Sequence, residues 1–340
     1  MRALIIGGTG TISSAVVDRL AKTGWELYVL NRGLRTYELP KEVKTITADI
    51  GNEKDVLEKL GDLQFDTVCE FIAFTKEQVE RDYRLFSGRT GQYVFISSAS
   101  AYHKPAANYI INEGTTLANP HWQYSRDKIE CEEYLMKQYR ENGFPVTIVR
   151  PSHTYDKKNV PLGVHGKNGF WQVIQRIREG KPVIIQGDGT SLWTLTYHTD
   201  FAVGFAGLLG NPHAIGEAFQ ITSDETLTWN QIYQTIADAL EVTLKPYHVA
   251  SEFLDAVGKG HDFEGSLIGD KSVSVVFDNS KLKRVVPEFH PTVSFRDGVR
   301  IALDYVLAHP EECQKADPEF DAWCDKVIEV LENAKQELQK

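Results

Sequence analysis

The sequence has 340 residues, of which 42% are hydrophobic and 25% are charged, as is typical of a globular protein. The net charge of −10, together with the lack of any basic run, makes nucleic acid an unfavourable partner. The N-terminal segment lacks the pattern of a signal peptide, and no apolar stretch approaches the roughly 20 residues that a membrane span needs. We therefore expect a cytoplasmic protein with no membrane partner.

The four cysteines are Cys69, Cys131, Cys313 and Cys324, and they lack the short paired spacings of a zinc or disulfide framework. We therefore expect reduced, mostly buried thiols and no metal site.

Short apolar runs rich in β-branched residues alternate with helix-like segments along the first half of the chain. They cover residues 3–6, 26–30, 45–48, 67–71, 93–96 and 146–149. Because these runs do not alternate between apolar and polar residues, each predicts a strand that is buried on both faces. The fold class that follows is α/β, with a Rossmann-type, doubly wound parallel sheet and a smaller C-terminal α/β substrate domain.

The regular alternation of apolar runs and helix-like segments ends after Pro151, and this change suggests the domain organisation. We expect a dinucleotide-binding domain over residues 1–155 and a mainly substrate-binding region over residues 156–310, interleaved with the sheet domain. Residues 311–340 predict a C-terminal helix with one apolar and one charged face. Packing against the body of the protein is the first interpretation of that helix, and a subunit contact in a homodimer is the alternative.

The first predicted strand runs directly into a glycine-rich turn and then into a helix. Gly7 permits a tight turn, Gly10 lets the backbone approach a pyrophosphate, and Ser13 is small enough for the helix to pack on the strand. Thr11 and Ile12 begin the helix, whose N-terminus favours an anion. The turn predicts a dinucleotide site, with a plain connection between strand and helix as the alternative.

The ends of the second and third predicted strands bear on the choice of dinucleotide. Asn31 and Arg32 follow the second strand, where a carboxylate would accept the ribose hydroxyls of NAD. Because an arginine instead favours a 2′-phosphate, we expect NADP in preference to NAD, unless Arg32 is only a solvated loop charge. Asp49 and Ile50 end the third strand, where we expect them to flank the adenine ring.

A serine, a tyrosine and a lysine form the predicted catalytic set. Ser98 follows the fifth strand, at the edge where open α/β sheets bind ligands. Tyr124 and Lys128 lie four apart at the head of a predicted helix, so their side chains share one face. An ammonium beside a phenol favours the phenolate, which suits Tyr124 to proton transfer while Ser98 binds the reacting oxygen. The alternative is an exposed surface pair.

Taken together, these motifs resemble the extended short-chain dehydrogenase/reductase superfamily, of the NAD(P)-dependent epimerase/dehydratase type, over residues 1 to about 310. The resemblance also uses several later segments: Arg150-Pro151 with Tyr155-Asp156, Gly187-Asp188-Gly189 and His198-Thr199-Asp200. It implies that Ser98, Tyr124 and Lys128 are the catalytic triad, that Lys128 also contacts the cofactor, and that the backbone after Pro151 lies by the nicotinamide. The implied function is hydride transfer, in an oxidoreductase, epimerase or dehydratase, on a small hydroxylated or carbonyl substrate such as a sugar or sugar nucleotide.

One residue departs from the pattern of the sugar-nucleotide members. An arginine that grips the diphosphate usually follows the Gly-Asp-Gly turn, and this chain has Trp193 there. Because a tryptophan offers one N–H donor and no charge, it does not replace that clamp. Similar segments occur in plant chloroplast RNA-binding members of the superfamily, so a dinucleotide-binding regulatory or RNA-binding protein is the alternative function. A cofactor-independent hydrolase is disfavoured by the lack of a Gly-x-Ser-x-Gly turn.

Overall fold

The computed structural model describes residues 1–34 and 38–340. The strands, in chain order, are β1 (Arg2–Ile6), β2 (Glu26–Asn31), β3 (Lys44–Thr47), β4 (Thr67–Glu70), β5 (Tyr93–Ile96), β6 (Ile110–Ile111), β7 (Val146–Pro151), β8 (His153–Tyr155), β9 (Val183–Gln186), β10 (Leu192–Trp193), β11 (Leu195–Tyr197), β12 (Glu217–Ile221), β13 (Leu227–Thr228), β14 (Pro246–Val249) and β15 (Val276–Phe277).

The α-helices, in chain order, are α1 (Thr11–Ala21), α2 (Glu53–Leu60), α3 (Lys76–Phe86), α4 (Gln123–Asn142), α5 (Trp171–Arg178), α6 (His198–Leu208), α7 (Trp229–Ala239), α8 (Ser251–Val257), α9 (Ser280–Val285), α10 (Phe295–Ala308), α11 (Pro310–Cys313) and α12 (Pro318–Leu338). Short 3₁₀-helices cover Ala99–Ala101 and Pro212–Ala214, and Glu264–Lys271 forms a π-helical segment.

The chain divides into two units. Unit 1 comprises residues 1–154, 196–224 and 277–292, and unit 2 comprises residues 155–195, 225–276 and 293–340. The chain therefore returns to unit 1 twice after first leaving it.

Unit 1 is built on a seven-stranded sheet in the order β12-β7-β5-β4-β1-β2-β3, and every neighbouring pair is parallel. Strands β1, β4 and β5 have almost wholly buried side chains, because helices cover both faces of the sheet. One face packs its core against α1 and α6, and the other packs its core against α2, α3 and α4. The predicted Rossmann-type, doubly wound parallel sheet is therefore confirmed.

The order of the strands determines where unit 1 can bind a ligand. The chain runs outward from β1 through β2 to β3, and then resumes on the other side of β1 with β4 and β5. Connections therefore leave the carboxyl ends of β1 and β4 in opposite directions and open a crevice there.

Unit 2 combines short strand pairs with helices. Strands β9 and β14 pair in parallel, and β10 and β13 pair antiparallel. The guanidinium of Arg176 on α5 is buried and pairs with Asp321 and Asp325 on α12, at 2.6 and 2.7 Å. These ion pairs fix the C-terminal helix to α5.

Candidate active site

A groove of about 740 Å³ opens in unit 1 at the carboxyl ends of the central strands. It brings together the glycine turn, the ends of β2 and β3, and the segment that follows β4. The lining residues include eight of the predicted cofactor-binding residues: Gly7, Gly10, Thr11, Ile12, Asn31, Arg32, Asp49 and Ile50. These eight, predicted from three separate segments, thus share one surface.

The glycine turn has a backbone that depends on two glycines. Gly7 has a φ of +108° and Gly8 a φ of +59°. A Cβ on Gly8 would lie 2.5 Å from Cγ1 of Val29, so this position has no room for a side chain. Gly8 was given no role in the sequence prediction, although packing against β2 requires a glycine there.

Helix α1 begins at the floor of the groove, with Gly10 as its N-cap. The backbone N–H of Gly10 donates to Oγ of Ser13 at 2.9 Å. Ser13 is therefore more than a small residue, because it completes the cap that sets the direction of the helix. The N-terminus of α1 thus faces the groove, where its dipole favours an anion.

The ends of β2 and β3 form the wall beside the turn. The side-chain carbonyl of Asn31 accepts the backbone N–H of Gly33, and a carboxylate oxygen of Asp49 accepts that of Gly51. Arg32 is exposed, and Ile50 is buried. This wall thus presents an exposed arginine where an NAD site would hold an acidic residue.

Tyr124 and Lys128 both lie on α4, in its first two turns. The ring of Tyr124 is half-buried and packs against those of Phe74 and Trp122, at centroid distances of 6.3 and 5.1 Å. Nζ of Lys128 lies 5.9 Å from the centroid of the Tyr124 ring. The structure therefore places the two side chains on one face of one helix.

Lys128 is buried, unlike a surface lysine. Its Nζ donates to the backbone carbonyls of Ala73 and Ile96, both at 2.7 Å, and lies 4.7 Å from the ring centroids of Phe74 and Phe95. Burial lowers the pKa of Lys128 to about 8. Two of the three ammonium protons are thus donated to backbone carbonyls, which fixes the position of the charge.

Ser98 belongs to a chain of three hydroxyl groups. The hydroxyl of Ser125 donates to Oγ of Ser100 at 2.7 Å, and Oγ of Ser100 lies 2.9 Å from Oγ of Ser98. Oγ of Ser98 also accepts the backbone N–H of Ser100. Because Ser125 follows Tyr124 on α4, the chain of hydroxyls ties Ser98 to the head of the helix that carries the tyrosine.

The predicted catalytic residues lie beside the groove and are not part of its lining. The link is made by Phe74 and Ile96, which line the groove and contact Tyr124 and Lys128 respectively. Pro151 is buried at the end of β7, opposite Ile221 of β12 in the sheet. The roles of these residues stay predictions.

A buried ionic cluster at the end of β4 was missed in the sequence prediction. Nε and Nη2 of Arg81 donate to Oδ1 of Asp82 at 2.9 and 2.7 Å, and the hydroxyl of Tyr93 donates to Oδ2 of Asp82 at 2.8 Å. Glu70 completes the cluster, with its Oε1 accepting the backbone N–H of Ile72. The available signal was Glu70 itself, a carboxylate at the end of an apolar strand.

The groove fits a dinucleotide. Its volume, the turn of Gly7 and Gly8, which has no side chains, and the helix N-terminus at Gly10 provide a cradle in which a phosphate would meet the backbone directly. Across residues 1–34 and 38–340, no three His, Cys, Asp or Glu side chains come together in a way that could hold a metal ion.

Trp193, in unit 2, is buried and stacks on Trp229 at a centroid distance of 5.6 Å. The position that would carry the diphosphate-binding arginine thus holds an apolar ring inside unit 2.

The four cysteines are buried and unpaired. None of the helices in the described part of the chain has both the length and the apolar character to cross a membrane.

Comparison with known proteins identifies relatives over most of the chain. The family model described as NAD dependent epimerase/dehydratase family matches residues 3–222. The 2′-dehydrokanamycin reductase of Streptomyces kanamyceticus is 25% identical over 85% of this chain and 80% of its own length. The chloroplast stem-loop binding protein of 41 kDa b from Arabidopsis thaliana is 26% identical over 70% of this chain and 63% of its own length.

Among solved structures, the epimerase Mth375 of Methanothermobacter thermautotrophicus has a TM-score of 0.74 and 18% sequence identity. The match covers 93% of this chain and 94% of that one, and it shows a shared fold.

Proposed function

Because the chain belongs to the NAD dependent epimerase/dehydratase family, as its sequence motifs predicted, we propose that it transfers hydride to or from a carbon of a sugar-like carbonyl or hydroxyl substrate. Membership of this family makes it an enzyme, and the family is described as NAD dependent. The observation that carries the proposal is the placement of Tyr124, Lys128 and Ser98 at one end of α4, next to the dinucleotide groove. The substrate-binding role of unit 2 is part of the proposal.

Each of the three residues has a role that its surroundings support. When bound, the dinucleotide supplies or accepts the hydride. Tyr124 donates a proton to the substrate oxygen as a carbonyl is reduced, or removes one as an alcohol is oxidised. The Lys128 ammonium stabilises the phenolate form of Tyr124, and the Ser98 hydroxyl donates to the substrate oxygen.

We infer that the substrate is a carbonyl-bearing sugar derivative without a nucleoside diphosphate. Two observations support this choice. Trp193 offers no charge for a diphosphate, and the relative from Streptomyces kanamyceticus is named as a 2′-dehydrokanamycin reductase. Turnover of 2′-dehydrokanamycin or of simple keto sugars, with none of UDP-linked sugars, is the expected result of a substrate screen.

The cofactor that we propose is NADP, in preference to NAD. The exposed guanidinium of Arg32 supports this choice, since it can bind a 2′-phosphate bidentately, and no carboxylate competes at Asn31. Fluorescence titration with NADPH and NADH is the test, and NADPH is expected to bind more tightly. Arg32→Glu should reverse that order, and an unchanged order would remove Arg32 from the explanation.

The mechanism is tested with Tyr124→Phe, which removes one hydroxyl and keeps the aromatic packing. We expect hydride transfer to fall by roughly a hundredfold or more while NADPH binding is kept, because proton transfer of this kind contributes 10²- to 10⁴-fold. Trp122→Phe, which changes a ring that packs against Tyr124 and keeps the Tyr124 hydroxyl, is the matched control. Full activity in Tyr124→Phe would exclude the proposed mechanism.

RNA binding is the second candidate function, because the chloroplast stem-loop binding protein is 26% identical to the chain. The net charge of −10 opposes it. Filter binding of a labelled RNA hairpin at about 50 mM salt, where electrostatic binding is strongest, decides between the two. Retention of the hairpin together with a lack of turnover would favour this second function.

Cytoplasmic location and a homodimer are further proposals. The homodimer is tested by light scattering during size-exclusion chromatography, where a mass near 38.3 kDa would exclude it.

A further inference from the structure

Arg81 on α3 is a groove-lining residue whose guanidinium is held in one orientation. Its side chain is 10% exposed, its Nε and Nη2 are bound to Oδ1 of Asp82, and Nη2 also lies 3.8 Å from Oε2 of Glu70. Nη1 makes no hydrogen bond to the part of the chain that the structure describes. A donor that is fixed in place and has no partner among residues 1–34 and 38–340 is ready to bind a ligand.

The charges around Arg81 indicate what kind of ligand it suits. Asp82 pairs with the guanidinium at 2.7 Å, and a carboxylate oxygen of Glu70 lies 3.8 Å from Nη2. Burial, together with the nearby Asp82 charge, raises the pKa of Glu70. The guanidinium is therefore already paired with carboxyl groups of the protein. Such a cluster attracts a phosphate weakly, but it offers a hydrogen-bond donor and a flat cationic face to a heteroaromatic ring.

The position of Arg81 along the groove indicates which part of the dinucleotide lies near it. Arg84, one turn further along α3, donates to Oε1 of Glu53 at 2.6 Å. Glu53 begins α2, just after Asp49 and Ile50, and these two residues line the same groove as Arg81. Arg81 therefore lines the groove on a helix that is joined to α2, the helix that follows Asp49 and Ile50, which are expected to flank the adenine ring.

We propose that Arg81 recognises the adenine ring of the dinucleotide, with Nη1 donating to a ring nitrogen and Asp82 and Glu70 holding the guanidinium in place. This inference rests on the proposed use of the groove for NADP or NAD, and it adds a binding residue that no motif indicated. Oε2 of Glu70 is buried, has no hydrogen-bond partner in the described chain and lies 3.8 Å from Nη2 of Arg81, so Glu70 holds the guanidinium by charge and not by a hydrogen bond.

The experiment measures binding without turnover. ADP-ribose, AMP and inorganic pyrophosphate are titrated calorimetrically into the wild type, Arg81→Lys and Arg81→Ala. Loss of one hydrogen bond from a charged donor should raise the Kd for ADP-ribose and AMP roughly ten- to a hundredfold, while pyrophosphate binding is unchanged. Arg81→Lys keeps a cation beside Asp82 but lacks Nη1, so it decides the question should Arg81→Ala fail to fold.

Arg84→Lys and Arg84→Ala are the matched controls, because Arg84 lies on the same helix and its ion pair with Glu53 is exposed. Both should keep the Kd for ADP-ribose within about twofold, as exposed ion pairs contribute little. Unchanged AMP and ADP-ribose binding in Arg81→Lys would overturn the inference, and so would a loss confined to pyrophosphate. A wild type that binds none of the three probes, nor NADPH or NADH, would instead refute the proposed dinucleotide site as a whole.

Discussion

Lys128 should make the stability of the protein depend on pH in the alkaline range. Burial lowers the pKa of Lys128 to about 8, whereas an unfolded lysine titrates near about 10.4. Between these values the unfolded state binds more protons than the folded state, so the free energy of unfolding contributed by this group rises with pH. The rise should amount to about 2 kcal/mol between about pH 7.5 and 10.

Lys128→Met isolates this contribution, because methionine keeps an unbranched side chain and removes the charge. The variant loses the donor to Ala73 and Ile96, at about 1–3 kcal/mol for each buried carbonyl, but it is relieved of the cost of burying the ammonium. Urea denaturation of both proteins at intervals of pH measures the difference between their free energies of unfolding. That difference should change by about 2 kcal/mol in favour of the wild type as the pH rises. Parallel profiles would refute the reasoning.

Two further predictions concern stability. Glu132→Gln should lower the free energy of unfolding by about 3–5 kcal/mol, because it leaves the buried guanidinium of Arg150 without its carboxylate. Adding Arg150→Met should recover part of this loss. A loss below about 1 kcal/mol in urea denaturation would contradict the expected effect of Glu132→Gln. Gly8→Ala should destabilise the protein by at least about 1 kcal/mol more than Gly24→Ala. Both glycines have a positive φ, but of the two only Gly8 would bring a Cβ into a clash with Val29. Equal melting temperatures of the two variants would exclude this clash as a cause of destabilisation.

The candidate site was predictable from sequence where its signals are local. The glycine turn, the strand ends at Asn31 and Asp49, and the spacing of Tyr124 and Lys128 each lie within a few residues of one another or of a strand. Local patterns of this kind reflect backbone geometry, which acts over one turn of helix or one strand, so they can be recognised without the tertiary structure.

Arg81 shows why the rest of the site was missed. Its partners are the adjacent Asp82 and Glu70 on β4. In the sequence, α3 is a polar helix with several charged residues, and nothing local distinguishes Arg81 from the others. Which of them is buried beside the groove depends on the packing of α3 against the sheet, and no local pattern reports that packing.

The sequence by itself determined six of the seven strands of the sheet in unit 1, because buried parallel strands are continuous apolar runs and the turns between them are marked by glycine and polar residues. That β12 joins the same sheet was decided by the tertiary structure. Only the tertiary structure decided that Lys128 is buried with donors to Ala73 and Ile96, which lie 55 and 32 residues away, and that Trp193 is stacked inside unit 2. The physical reason is that burial and charge pairing arise from contacts between distant segments, and these contacts exist only once the chain has folded.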